Sequence, residues 1–247
     1  MLRGRRGLFI TGTDTGVGKT WVAAGLAAWC RSQGINVGVM KPLATGARRA
    51  GGRWISDDAL FLARACGARD PLRLINPSCY LEPLAPLVAA ARAMQAISFE
   101  KVNHSFHRLS GCHDFMIVEG IGGLLVPLTQ GATVADFARQ LALPVVIVAR
   151  PGLGTINHTL LTLQAARRAK LTIAGVIINH AVPPPKNPMA RLAIQTNPAV
   201  IEQQGKVAIA GILPYQQKKT AKFLSAWIAK NMDNQWLHRW LAGHPNQ

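Results

Sequence analysis

Six short apolar runs recur along the chain: GLFIT from residue 7, NVGVMK from 36, FMIVE from 115, PVVIVA from 144, IAGVIIN from 173 and VAIAGILP from 207. Each of the first five is followed by a stretch that reads as helix, over 20–33, 57–66, 133–141, 155–169 and 189–204. The runs do not alternate apolar with polar residues, as expected for strands covered on both faces of a parallel sheet. Strand–helix alternation of this kind predicts an α/β fold: a doubly wound, mostly parallel sheet with helices on both faces, in three layers. The Pro-rich VPPPKNP segment at 182–188 reads as a loop inside that alternation, since prolines lack an N–H and push their predecessors out of helical geometry. The chain, 1–247, is therefore expected to form a single domain. The pattern weakens after Pro214 into a basic, Trp-containing tail, 216–247, in which Phe223, Trp227, Ile228 and Met232 fall near helical spacing. Two readings stay open for it: a helix docked on the core, or an amphipathic membrane-surface or partner helix.

The first apolar run hands over to a helix through GTDTGVGKT, Gly12 to Thr20. A strand, a glycine-rich turn and a helix N-terminus gather backbone N–H groups around one concavity, where the helix dipole favours an anion. Lys19 adds a point charge for terminal phosphates, and Thr20 a hydroxyl suited to Mg²⁺. The usual pattern has four residues between its first Gly and the Gly-Lys pair; here five separate Gly12 from Gly18, and Thr13 stands at the usual glycine position. The turn is a variant P-loop, and the fold expectation becomes a P-loop NTPase-like, Rossmann-like one. No GxGxxG is present in the turn, which argues against dinucleotide binding.

Nucleotide-bound Mg²⁺ takes one or two carboxylates besides the hydroxyl and the phosphates. Glu119 ends the FMIVE run, at the sheet edge where open α/β folds bind ligands. Asp57 and Asp58 open a helix-like stretch, where either could also act as an N-cap, a role Ser56 fills equally well. Asp14 lies within the turn. After Glu119, Gly120, Gly122 and Gly123 allow close approach of backbone to a ligand.

Charge then narrows the partners. The chain has 28 Lys and Arg against 11 Asp and Glu, a formal +17, which favours anionic partners: nucleotide phosphates, nucleic acid or an anionic membrane. The basic residues are scattered in small groups such as Arg3-Gly4-Arg5-Arg6, Arg48-Arg49, Arg167-Arg168 and Lys218-Lys219. Four widely spaced cysteines, with no CxxC, argue against structural zinc and a disulfide framework. The basic opening is not followed by a signal-like apolar segment, so the expected location is the cytoplasm.

The order and spacing of GTDTGVGKT, MKPLATG (40–46), SDDAL (56–60), EPLAP (82–86), VEGIGGLLVPL (118–128), LGTINHTLLT (153–162) and GVIIN (175–179) resemble the dethiobiotin synthetases over about residues 7–215. That resemblance implies an ATP-dependent ring closure of diaminopelargonic acid with carbon dioxide, through a carbamate and a carbamic-phosphoric anhydride, with ADP and phosphate released. It implies Lys41, Lys19 and Thr15 as catalytic residues. It implies ATP contacts from Asp14, Thr15, Gly16, Val17, Gly18, Lys19, Thr20, Glu119 and Asn179, the last reading the adenine. For the substrate it implies Lys41, Thr45, Gly122, Leu153, Gly154, Thr155 and Asn157, and for Mg²⁺ it implies Thr20, Asp58 and Glu119. The LGTINH helix start would bind the substrate's distant carboxylate from the partner subunit, which implies a homodimer with no need of nucleic acid or membrane. Asn179 as a strand-end turn residue stays an alternative. Two other readings also stand: a related ligase acting on another acceptor, and a DNA- or membrane-associated partitioning ATPase supported by the +17 charge and the tail. The latter class often carries a lysine near the start of the loop, where this chain has Thr13.

Overall fold

The computed structural model describes residues 6–50 and 52–242, so Arg3 to Arg5 and the last residues of the tail, 243–247, lie outside the described residues. Its centre is a six-stranded, all-parallel sheet of β1 (Gly7–Gly12), β2 (Val37–Met40), β3 (Phe115–Glu119), β4 (Val145–Ala149), β5 (Ile173–Asn179) and β6 (Ile209–Leu213). Across the sheet the order is β6-β5-β4-β1-β3-β2. On one side of β1 the chain places β2 at the edge and then inserts β3, and on the other it adds β4, β5 and β6 outward, so the turn after β1 sits where the direction reverses. Each predicted strand is present, with ends that agree with the apolar runs to within two residues.

The non-alternating apolar runs have a direct cause. Leu8, Ile10, Ile117, Val146 and Val148 enter one core layer, while their neighbours Phe9, Met116, Val118, Val145 and Ile147 enter the other. With helices on both faces, no position along a central strand faces water. The first layer is covered by α1 (Lys19–Ser32) and α2 (Asp57–Cys66). The second is covered by α3 (Phe99–Ser110), α4 (Val134–Leu141), α5 (Thr155–Arg168) and α6 (Pro188–Gly205). The sequence reading missed α3, although Ser98 caps it by accepting from the Lys101 N–H at 3.1 Å.

The tail is docked. Helix α7 (Ala221–Asn231) buries Leu224, Trp227 and Ile228, and Trp236 beyond it donates its indole N–H to the Ala174 carbonyl at 2.8 Å. Glycine at position 25 of α1 permits this packing, since a Cβ there would stand 2.8 Å from Ile228 Cγ1. Among the described residues, no helix is long and apolar enough to cross a membrane.

Candidate active site

Sheet register assembles the site. Glu119 is level with Ile10 on β1, and Met40 is level with Val118, which puts Lys41 beside Glu119 at the carboxyl ends of β2 and β3. Both side chains point to the layer of α1 and α2 rather than to the opposite face taken by Met40 and Val118. The second residue of each of these helices, Thr20 on α1 and Asp58 on α2, arrives at the same place.

The contacts are short. Lys41 Nζ lies 2.6 Å from Glu119 Oε1 and 3.3 Å from Asp58 Oδ2, and also donates to the Gly120 carbonyl at 3.3 Å. Thr20 Oγ1 donates to the same Glu119 oxygen at 2.8 Å, while Glu119 Oε2 is buried with no partner. Lys19 Nζ arches over the turn to the Asp14 carbonyl at 2.9 Å. Asp14 itself is exposed and caps the turn, its Oδ1 accepting from the Thr15 N–H at 2.7 Å.

Adjacent residues of a helix diverge by about 100°, so the two aspartates point different ways. Asp58 faces Lys41, and Asp57 faces outward to Arg48 at 2.8 Å. Ser56 is the cap, accepting from the Ala59 N–H at 3.3 Å.

The turn spends its glycines where the backbone demands them. Gly16 and Gly18 have φ of 77° and 87°, whereas Thr13 has no positive φ. The first turn position accordingly accepts a threonine. Gly12 is held to glycine by crowding, because a Cβ there would lie 2.8 Å from Val17 Cγ2 and 3.0 Å from the Asp14 carbonyl.

Electrostatics follow from burial and pairing. Burial, assisted by the neighbouring Lys41 charge, pulls Lys19 down from 10.5 to about 8. Burial also disfavours the Lys41 ammonium, but Glu119 and Asp58 outweigh it and hold Lys41 above the ordinary lysine range. Burial raises Glu119 above the usual carboxylate range, with Lys41 opposing the rise.

These groups open onto a cavity of about 690 Å³, lined also by Thr15, Thr45, Gly122, Trp21 and the Pro83–Pro86 loop. The sequence reading gave no role to Trp21 or to that loop, whose EPLAP residues it had noted only for resemblance. Asn179 lies beside the turn, its Nδ2 donating to the Val17 carbonyl at 2.9 Å. Leu153, Gly154, Thr155 and Asn157 do not line this cavity. They start α5, with Gly154 at φ 84° and no side-chain cap, and Leu153 and Asn157 are exposed. Beside that helix runs a second groove of about 550 Å³, bounded by Thr13 to Thr15, Leu125, Val126, His158 and Leu161.

The chain is similar to known proteins at two levels. A family model described as an AAA domain matches residues 6–222. A protein of Thermodesulfovibrio yellowstonii, an ATP-dependent dethiobiotin synthetase, is 38% identical over 93% of this chain and 97% of its own length. Proteins of the same name from Bacillus licheniformis and Anaeromyxobacter dehalogenans are 40% and 46% identical, over 92% and 72% of this chain and 94% and 78% of theirs. Among solved structures, a ParA family ATPase of Chlorobium tepidum superposes with a TM-score of 0.51 at 18% identity, covering 92% of this chain and 99% of that one. The MinC:MinD complex of Aquifex aeolicus gives 0.52 at 18% identity, with 90% and 86% covered. These last two likenesses concern the fold alone.

Proposed function

This chain belongs to the ATP-dependent dethiobiotin synthetase family, and from that premise we propose how its own residues carry the reaction. The observation that carries the proposal is the buried Lys41 ammonium, held protonated between Glu119 and Asp58 on the floor of the cavity that Lys19 and the turn also border.

One amine of diaminopelargonic acid adds to carbon dioxide and loses a proton, giving a carbamate. The carbamate oxygen attacks the γ-phosphorus of ATP, and the bond to the ADP oxygen breaks. The second amine then attacks the carbamoyl carbon, expels phosphate and closes the ring. Most of this is anion handling, in which positioning and fixed charge dominate. Lys41 neutralises the carbamate, and Lys19 with the N–H groups of Gly16 to Thr20 holds the phosphates. Thr15, Thr45 and Gly122 bound the space between them. Asn179, with its nitrogen tied to Val17, offers Oδ1 to the base.

The oxygen donors of Thr20, Glu119 and Asp58 fit a hard cation, and the unpartnered Glu119 Oε2 is the group a cation would satisfy. Bound there, Mg²⁺ would offset charge on the transferring phosphoryl group. The uncapped start of α5, with Leu153, Gly154, Thr155 and Asn157, does not line the cavity floored by Lys41 in its own chain. Its placement supports a homodimer in which each copy supplies that helix start to its partner's substrate carboxylate. In this reading the enzyme is cytoplasmic and works as one α/β unit.

The test is phosphate release from ATP with diaminopelargonic acid, bicarbonate and Mg²⁺, with the cyclic urea followed by mass, for wild type and Lys41→Ala. Equal yields of urea and phosphate are expected, falling on the order of 10²- to 10³-fold in a variant that still melts cooperatively. Undiminished urea from Lys41→Ala would overturn the role given to Lys41.

A further inference from the structure

A separate cavity of about 330 Å³ shares no lining residue with the one that holds Lys41. The chain from Cys79 to Glu82 borders it, and the residues that follow, Pro83 to Pro86, border the main cavity. Backbone bonds fix this segment to the one that carries Thr45. Tyr80 N–H donates to the Ala44 carbonyl at 2.9 Å, Ala47 N–H to the Tyr80 carbonyl at 3.0 Å and Gly46 N–H to the Glu82 carbonyl at 3.2 Å. The other walls are Trp54, from the antiparallel pair Arg48–Ala50 and Arg53–Ile55, and the end of the helix Pro86–Arg92, with Ala89, Arg92 and the capping Ala93.

Much of this lining is apolar, and part of it is left uncovered. Tyr80 spends its hydroxyl on the Gln95 carbonyl at 3.2 Å, while Trp54 and Leu81 stand 44% and 51% exposed. Cys79 adds no charge, since burial pushes its thiol up to about 11. An occupant that covers Trp54 and Leu81 takes apolar surface out of water. Charge gives that occupant its polar end. Two guanidinium groups stand here against one carboxylate. Arg92 donates its Nε–H to Glu82, and Arg49, 5.8 Å from the centre of the Trp54 ring, has no carboxylate partner among the described residues. The two terminal nitrogens of Arg92 have no hydrogen-bond partner among the described residues, and they form the fork that grips a carboxylate through two parallel bonds.

We propose that this cavity is a second small-molecule site, which takes a monocarboxylate with an apolar chain of roughly eight to ten carbons. Its carboxylate sits on the terminal nitrogens of Arg92, and its chain lies against Trp54, Leu81 and the Tyr80 ring. The volume is at the low end of the roughly 300–1,000 Å³ of small-molecule sites, which suits such an acid. Glu82 stays beside Arg92 and repels a second negative charge, which favours a monoanion over a phosphate. A cation is disfavoured by the excess of guanidinium over carboxylate.

The test is calorimetric titration of wild type, Arg92→Gln and Ala93→Trp with nonanoate, with thermal melting of each free protein. Arg92 and Ala93 are both exposed, so the variants are expected to fold. Wild type should bind nonanoate with Kd on the order of 0.1–1 mM and should not bind propionate, which keeps the charge and loses the chain. Arg92→Gln should weaken binding about tenfold or more, and Ala93→Trp, which fills the cleft, should abolish it. Location is read from the cysteines: at tenfold Kd, nonanoate should slow alkylation of Cys79 about tenfold, in line with occupancy. Exposed Cys112, outside the cavity, should react at an unchanged rate. The cyclic urea product, which keeps the substrate's carboxylate, tells two sources of the acid apart. If it binds wild type and not Ala93→Trp, the site takes the enzyme's own product; if not, it takes a separate alkyl acid, and nonanoate binding supports the site in both cases. No binding of nonanoate to wild type, binding that survives in folded Ala93→Trp, or Cys79 left unprotected would overturn the proposal.

Discussion

At the residue scale, the telling quantity is the proton on Lys19. In the free protein, burial and Lys41 leave Lys19 half-protonated near pH 8 rather than at 10.5. Phosphate oxygens against its ammonium favour the charged form, so the bound lysine titrates at a higher pH. Below pH 8 the proton is already present, and ATP affinity is flat with respect to this group. Above pH 8 binding must take up a proton, and affinity should fall by about tenfold per pH unit until the bound lysine itself titrates. Calorimetry of ATP binding at pH 9 in buffers of different ionisation enthalpy should report uptake of up to about one proton, and at pH 7 none assignable to this lysine. No uptake at pH 9 would show that Lys19 does not meet the phosphates. The same shift acts on folding with a definite sign: between pH 8 and 10.5 the unfolded chain holds more protons on Lys19 than the folded one. Stability of the free protein should therefore rise with pH through that window as far as this group is concerned. Sequence order alone brought Lys19, Thr20, Lys41 and Glu119 forward, because each stands at a strand or helix end. It could not separate Asp57 from Asp58, which differ only in the direction each takes off α2.

At the scale of elements, the turn between β1 and α1 makes a testable distinction between its glycines. Gly16 and Gly18 both have positive φ, which costs an alanine roughly 1–2 kcal/mol. A Cβ on Gly16 meets nothing within 4 Å, whereas one on Gly18 would lie 2.1 Å from Asn179 Nδ2. Gly18→Ala must therefore displace the amide that ties β5 to the turn through Val17. It should lower the melting temperature of the free protein by more than Gly16→Ala does, and should weaken ATP binding at least tenfold. Equal melting temperatures for the two variants would mean that the Asn179 tie carries no stability. The strands were legible for the same reason that the turn was: buried parallel strands read as uninterrupted apolar runs. Helices α3 and Pro86–Arg92 were not, since the sequence between residues 80 and 114 offers no strand to frame them.

At the scale of the whole molecule, the sequence left the tail and the +17 charge without an assignment. Docking of α7 on α1 removes the tail's apolar face from consideration as a membrane helix, since Leu224, Trp227 and Ile228 are spent on the core. The apolar surface left over lies elsewhere. Leu125, Leu153 and Leu161 are 70%, 77% and 55% exposed beside the 550 Å³ groove and the start of α5. An apolar patch next to an uncapped helix start is what a second copy would cover. If that helix start completes the partner's site, two inactive variants should rescue each other. Lys41→Ala disables the site that its own chain builds. Asn157→Asp puts a carboxylate in the first turn of α5, where it favours the helix but repels the carboxylate of a substrate. In a mixed dimer one site carries both changes and the other carries neither. Random exchange of subunits should then restore about a quarter of wild-type urea formation from two preparations with almost none. Leu161→Glu, which charges the patch, should give a monomer by sedimentation that still binds ATP and makes no urea. Mixed dimers without recovered activity would place the substrate carboxylate within a single chain and leave the leucine patch to another partner.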